Sequence, residues 1–104
     1  MDNQHRKIAG YRELSQAEID LMNRIKAKGA ELLALQGELV DLLAQQDKDK
    51  RLAICVPSDN HEAHTAEFER FLVAEPLRWA AIGKTDIQTG IMALVRAVAQ
   101  PAGV

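Results

Sequence analysis

Residues 15–43 read SQAEIDLMNRIKAKGAELLALQGELVDLL. Ser15 and Glu18 open this stretch with the spacing of a capping box. The serine hydroxyl accepts from the third helical N–H, and the glutamate reaches back to the serine N–H. Behind the cap, Met22, Ile25, Gly29, Leu32, Gln36, Leu39 and Leu43 recur at alternating steps of three and four. A second stripe runs through Leu21, Ile25, Leu32, Leu35, Leu39 and Leu42. This period predicts a helix, and two adjacent stripes predict an apolar face wide enough for more than one neighbour. No proline precedes Pro57, so the helix is expected to span 15–50. Over 15–48 its rise is roughly 50 Å, whereas a compact chain of this length has a radius of gyration of about 13 Å. What remains of the chain cannot wrap such a helix.

The elements around it follow. Residues 1–14 read as an N-terminal arm or short helix, broken at Gly10. Residues 51–60 read as a turn: a short apolar piece, Leu52 to Val56, ends in Pro57-Ser58-Asp59-Asn60. Asp59 with Glu62 is a weaker cap signal for a second helix over 61–100. Glu75-Pro76 predicts a kink in that helix. Beyond it, Leu77, Ala80, Lys84, Ile87, Ile91, Leu94 and Val98 form another seam, and Pro101-Ala102-Gly103 ends it. The expected fold class is all-α: an arm plus an antiparallel pair of long helices, the second kinked near Pro76, in a single helical domain. Two helices cannot bury such wide faces against each other, so a homo-oligomer is expected. A monomeric three-helix bundle with its break at Pro76 is the alternative.

Composition agrees. A chain of 104 residues with 47% apolar and 27% charged residues suits one small globular domain. Its four aromatics, Tyr11, Phe68, Phe71 and Trp79, are too few for a β-sandwich. The net charge of −2 argues against a DNA or RNA polymer as partner. That charge is unevenly spread: residues 1–28 carry +2, residues 29–75 carry −6 and residues 76–104 carry +2. Basic ends that meet in space would suit a small anion. The single Cys55 excludes an internal disulfide framework and a cysteine zinc cluster. The polar start, Met1 to Lys7, reads as no signal peptide, and no apolar run approaches the length of a membrane span. A cytoplasmic protein without membrane contact is expected.

Motifs for catalysis are missing. Gly83-Lys84-Thr85 has the end of a phosphate-binding loop, but Arg78 stands where that loop needs its first glycine, and the local pattern is helical. Lys84, at a seam position, either snorkels or meets an anion or a partner's acid. Gly83 and Gly90, one heptad apart, are expected to allow close approach of a helix or a ligand. His61 and His64 lack the spacing of four and a third ligand, so no metal is expected. No cofactor loop and no nucleophile–base pair occurs, so no enzyme is expected.

Tyr11 follows Gly10 and has Lys7 and Arg12 beside it. It serves either as a hydrophobic staple or as a stacking platform for a base. Lys26 lies eleven residues beyond the cap, roughly 16 Å along the helix. Tyr11 of one subunit could meet Lys26 of another across a two-fold axis, where a ligand with two bases and two phosphates would fit.

Two blocks, MDNQHRK through GYRELS (1–15) and EPLRW through IGKTDIQ (75–88) with its continuation MALVRAVAQP (92–101), resemble the phage-encoded anti-CBASS cyclic-nucleotide sponge family. The likeness covers roughly 1–30 and 69–101, about 60% of the chain; residues 31–68 carry none. The resemblance implies a small helical protein assembled as a homohexamer, a trimer of dimers. It implies no catalysis: members sequester the cyclic oligonucleotides that bacterial CBASS immunity makes on infection, in the cytoplasm of the infected host. By the same resemblance, Tyr11 and Lys26 bind cyclic dinucleotides such as cyclic GMP–AMP between subunits. The resemblance also implies a second site, for cyclic trinucleotides, with Arg78 and Lys28; Lys84, the seam lysine expected to meet an anion, is assigned to that site with them. The competing readings are a structural or scaffolding helical oligomer without a nucleotide ligand, and an enzyme that degrades the messenger.

Overall fold

The computed structural model describes residues 12–102. They form three helices: α1 (Gln16–Cys55), α2 (His61–Ala74) and α3 (Pro76–Ala99). The chain divides into two compact units. One contains residues 12–32 and 86–102, and the other is Leu33–Thr85.

The start of α1 is the capping box. Glu18 N–H donates to Ser15 Oγ at 3.2 Å, Ser15 N–H donates to Glu18 Oε1 at 2.9 Å, and Ile19 N–H donates to the Ser15 carbonyl at 3.0 Å. The helix then runs through 51–55, residues expected in the turn, and stops at Cys55. Pro57 sets this limit, because the residue before a proline is driven out of helical geometry. The turn is therefore 56–60. Ser58 Oγ accepts from Asn60 N–H there at 2.9 Å. The residue preceding α2 is Asn60 rather than the expected Asp59, and its side chain makes no capping bond.

The expected kink near Pro76 takes the form of one left-handed residue. Glu75 has φ 49° and ψ 51°, and its N–H donates to the Leu72 carbonyl. Its own carbonyl accepts from Trp79 N–H at 3.1 Å. Glu75 thus ends α2 and begins α3, and Pro76 takes the first helical position, where a missing N–H costs nothing. At the far end, Gln100 repeats the left-handed geometry with φ 49°, followed by Pro101.

In the first unit α1 and α3 run antiparallel. Gly29 is buried, and a Cβ placed on it would overlap Ile91 Cδ1 and lie 2.7 Å from Ile91 Cγ1. Within the chain the close helix approach is here and not at Gly83 or Gly90, where nothing lies within 4 Å of a Cβ. Arg12 ties this unit together. Its guanidinium pairs with the Glu18 carboxylate and donates to the Val98 carbonyl at 2.8 Å, satisfying an orphan acceptor at the end of α3.

In the second unit Leu43, Phe71 and Ala80 form the buried apolar core. Gln36 Nε2 donates to the Ala80 carbonyl at 3.0 Å. The inward stripe of α1 differs from the expected one by single steps: Leu33 and Val40 are half-buried, while Leu32 and Leu39 are exposed. On α3 the half-buried positions include Gly83 and Val95, whereas Lys84 and Leu94 are exposed. The second α1 stripe is left largely uncovered, with Leu35 59% and Leu42 55% exposed.

Candidate functional site

Three concavities carry the candidate residues. The first lies in the unit of residues 12–32 and 86–102. Its volume is about 460 Å³, and its walls are mainly Leu21, Ile25, Leu32, Ile91 and Leu94. Gly29 is also in the lining, and the Ile91 side chain occupies the space that a Cβ on residue 29 would need. Arg24, Lys28 and Glu31 stand on the rim, and Lys28 Nζ pairs with Glu31 Oε2 at 3.3 Å. Both side chains of that pair are exposed, so it is weak and readily exchanged.

Lys26 is exposed on the same helix but does not line this cavity. Two helical steps rotate it by about 200° from Lys28, and the two amines face different directions. Tyr11 lies outside the described residues. Arg12, beside it in sequence, is engaged with Glu18 and Val98. The Arg12 guanidinium, then the Ser15 backbone N–H, hold the Glu18 carboxyl down to a pKa of about 2.

The other two concavities lie within Leu33–Thr85. A groove of about 660 Å³ brings Lys84 alongside Gln36, Glu38, Asp41 and Leu77. A smaller cavity of about 300 Å³ holds Arg78 with Asp47, Arg51, Phe71 and Glu75. Arg78 Nη1 contacts Glu75 Oε2 at 3.4 Å, and its guanidinium lies 5.4 Å over the Trp79 ring. Within this unit Arg78 and Lys84 therefore line separate concavities.

One cluster escaped the sequence reading. Arg51 lies 4.9 Å over the Phe68 ring, and Lys50 lies 5.4 Å over Phe71. Arg51 Nε also donates to Asp47 at 2.9 Å. The i, i+4 pair was visible in the sequence, but the meeting of Arg51 with Arg78 in one cavity depends on how α1 packs against the α2–α3 junction.

Guanidinium and ammonium groups stand next to apolar or aromatic surfaces, which is the chemistry that holds a phosphate beside a base. Among the described residues, no group of three or more His, Cys, Asp or Glu is placed to hold a metal ion. None of their helices is long and apolar enough to cross a membrane.

No protein-family model matches the chain. Among curated proteins the chain is similar to Anti-CBASS protein 2 of Pseudomonas phage JBD67. The two are 62% identical over 107 residues, an alignment covering 99% of each chain.

Proposed function

The chain belongs to the anti-CBASS protein 2 family, and on that premise we propose that it antagonises CBASS immunity as a non-catalytic sponge for cyclic oligonucleotides. The near-full-length identity carries this reading. It extends through residues 31–68, where the two quoted blocks carry no likeness.

The ligand chemistry supports it. A cyclic dinucleotide presents two phosphates and two bases, which call for cationic donors and a flat face. Tyr11 and Lys26 are the residues proposed to bind it between subunits. Arg78, Lys28 and Lys84 are proposed for cyclic trinucleotides. Arg78 and Lys84 line different concavities of one unit, so the reading has other copies of the chain complete that site. The exposed stripe of Leu21, Leu32, Leu35, Leu39 and Leu42 supports such copies, because an isolated chain would leave it in water. A homohexamer, a trimer of dimers, is the proposed assembly, acting in the cytoplasm of the infected host.

Sequestration requires slow release rather than turnover. Nanomolar capture corresponds to about 12 kcal/mol, and a pre-assembled pocket reaches that more readily because its ordering cost is met before the ligand arrives. The test is to titrate the protein with cyclic GMP–AMP in a calorimeter, then denature it and recover the nucleotide. Heat with intact recovered ligand is expected. Cleaved product would make the protein an enzyme, and absence of heat would leave a scaffold.

A further inference from the structure

Two arginines from distant parts of the sequence share the 300 Å³ cavity beside Phe71 and Pro76: Arg51, in the last turns of α1, and Arg78, in the first turn of α3. Both are held in the same manner. Each guanidinium lies over an aromatic ring, Arg51 at 4.9 Å from the Phe68 centroid and Arg78 at 5.4 Å from that of Trp79. Each also meets a carboxylate close in sequence. Arg51 uses Nε toward Asp47 at 2.9 Å, and Arg78 uses Nη1 toward Glu75 at 3.4 Å, near the outer limit of a hydrogen bond.

Stacking fixes the plane of a guanidinium and leaves its edge as the donor surface. A guanidinium has five N–H donors in a fork that matches two phosphate oxygens. The Asp47 and Glu75 contacts join neighbours three or four residues apart, with Arg51, Arg78 and Glu75 exposed and Asp47 half-buried; such local ion pairs are weak, and a phosphate can replace them. Lys50 Nζ lies 5.4 Å from the centroid of Phe71, a residue of the wall, but Lys50 itself does not line the cavity. A cation is a poor occupant, because the carboxylates lining the cavity already face guanidinium groups.

We propose that this cavity is a phosphodiester subsite in which Arg51 acts together with Arg78, and that binding exchanges Asp47 and Glu75 for phosphate oxygens of a cyclic oligonucleotide. The proposal rests on the sponge reading and its assignment of Arg78 to cyclic trinucleotides. It adds a binding residue from the segment that carried no family likeness, and it gives Asp47 the role of a competitor for the ligand's charge.

Calorimetric titration with cyclic triadenylate and, separately, with cyclic GMP–AMP tests this on wild type, Arg51→Gln, Arg51→Lys and Asp47→Asn. Arg51→Gln is expected to weaken trinucleotide binding at least tenfold, and Arg51→Lys to lie between it and wild type. Asp47→Asn is expected to tighten trinucleotide binding several-fold, since it removes the competing carboxylate. Dinucleotide affinity should stay unchanged in all three. Should wild type bind no trinucleotide, the Arg78 assignment and the subsite both fail. Should wild type bind it and Arg51→Gln match wild type, the subsite alone is wrong. Equal loss of both ligands in Arg51→Gln would mark Arg51 as structural and also overturn the subsite. If Arg51→Gln does not fold, Asp47→Asn decides, because it keeps the arginine: unchanged or weaker trinucleotide binding overturns the proposal.

Discussion

The Arg12 guanidinium donates to the Val98 main-chain carbonyl at 2.8 Å while pairing with the Glu18 carboxylate. One side chain thus joins the residue after Tyr11 to the first turn of α1 and the last turn of α3. Its Nε is buried without a hydrogen-bond partner, so the guanidinium is held by its two Nη groups. Arg12→Ala should loosen residues 12–15 and the end of α3 together. Amide exchange at Glu18, Ile19 and Gln100 would report this, and unchanged protection there would show that the tie is idle.

The same carboxylate sets a pH dependence. Glu18 has a folded-state pKa of about 2 against an ordinary 4.5, held down first by Arg12. A depressed carboxylate contributes stability that is fully present above its unfolded pKa and is lost as pH falls through the folded one. The Tm advantage of wild type over Glu18→Gln should therefore be constant above about pH 5 and shrink between pH 4.5 and 2. A difference independent of pH over that window would contradict the assignment.

Glycine substitutions should sort by the space around them. Gly29→Ala drives a methyl group into Ile91 and should cost about 1–3 kcal/mol by overpacking. Gly83→Ala and Gly90→Ala meet nothing within 4 Å, and each should stabilise by up to about 1 kcal/mol through helix propensity. Denaturant titration checks the signs. In the double variant Gly29→Ala/Ile91→Ala, the cost of the alanine at 29 should largely vanish.

Glu75 sits at φ 49°, a conformation that glycine adopts freely and a β-branched residue resists. Glu75→Val should cost about 1–2 kcal/mol, whereas Glu75→Gly should stay within about 0.5 kcal/mol of wild type. Reversal of that order in thermal unfolding would mean that the α2–α3 junction relaxes to another geometry.

The uncovered α1 stripe gives a test of assembly. Leu35→Glu and Leu42→Glu each place a charge where the proposed oligomer buries a leucine. Light scattering should show smaller particles while circular dichroism retains the helical content. An unchanged particle mass would remove this stripe from the interface.

Ser15 and Glu18 announced the start of α1 because a capping box is a local hydrogen-bond pattern, and its two bonds form as the spacing requires. Pro57 and Glu75-Pro76 announced the two breaks for an equally local reason: proline removes a donor and restricts the residue before it. The all-α class followed from periodicity. Which leucine of a neighbouring pair faces inward did not. Leu32 and Leu33 are equally apolar and only about 100° apart on a helix, so the partner surface chooses between them. The choice of Gly29 over Gly83 and Gly90 as the point of close approach, and the meeting of Arg51 with Arg78, were likewise tertiary decisions. Contacts between residues tens of positions apart arise from how helices pack, and no spacing along the chain encodes them.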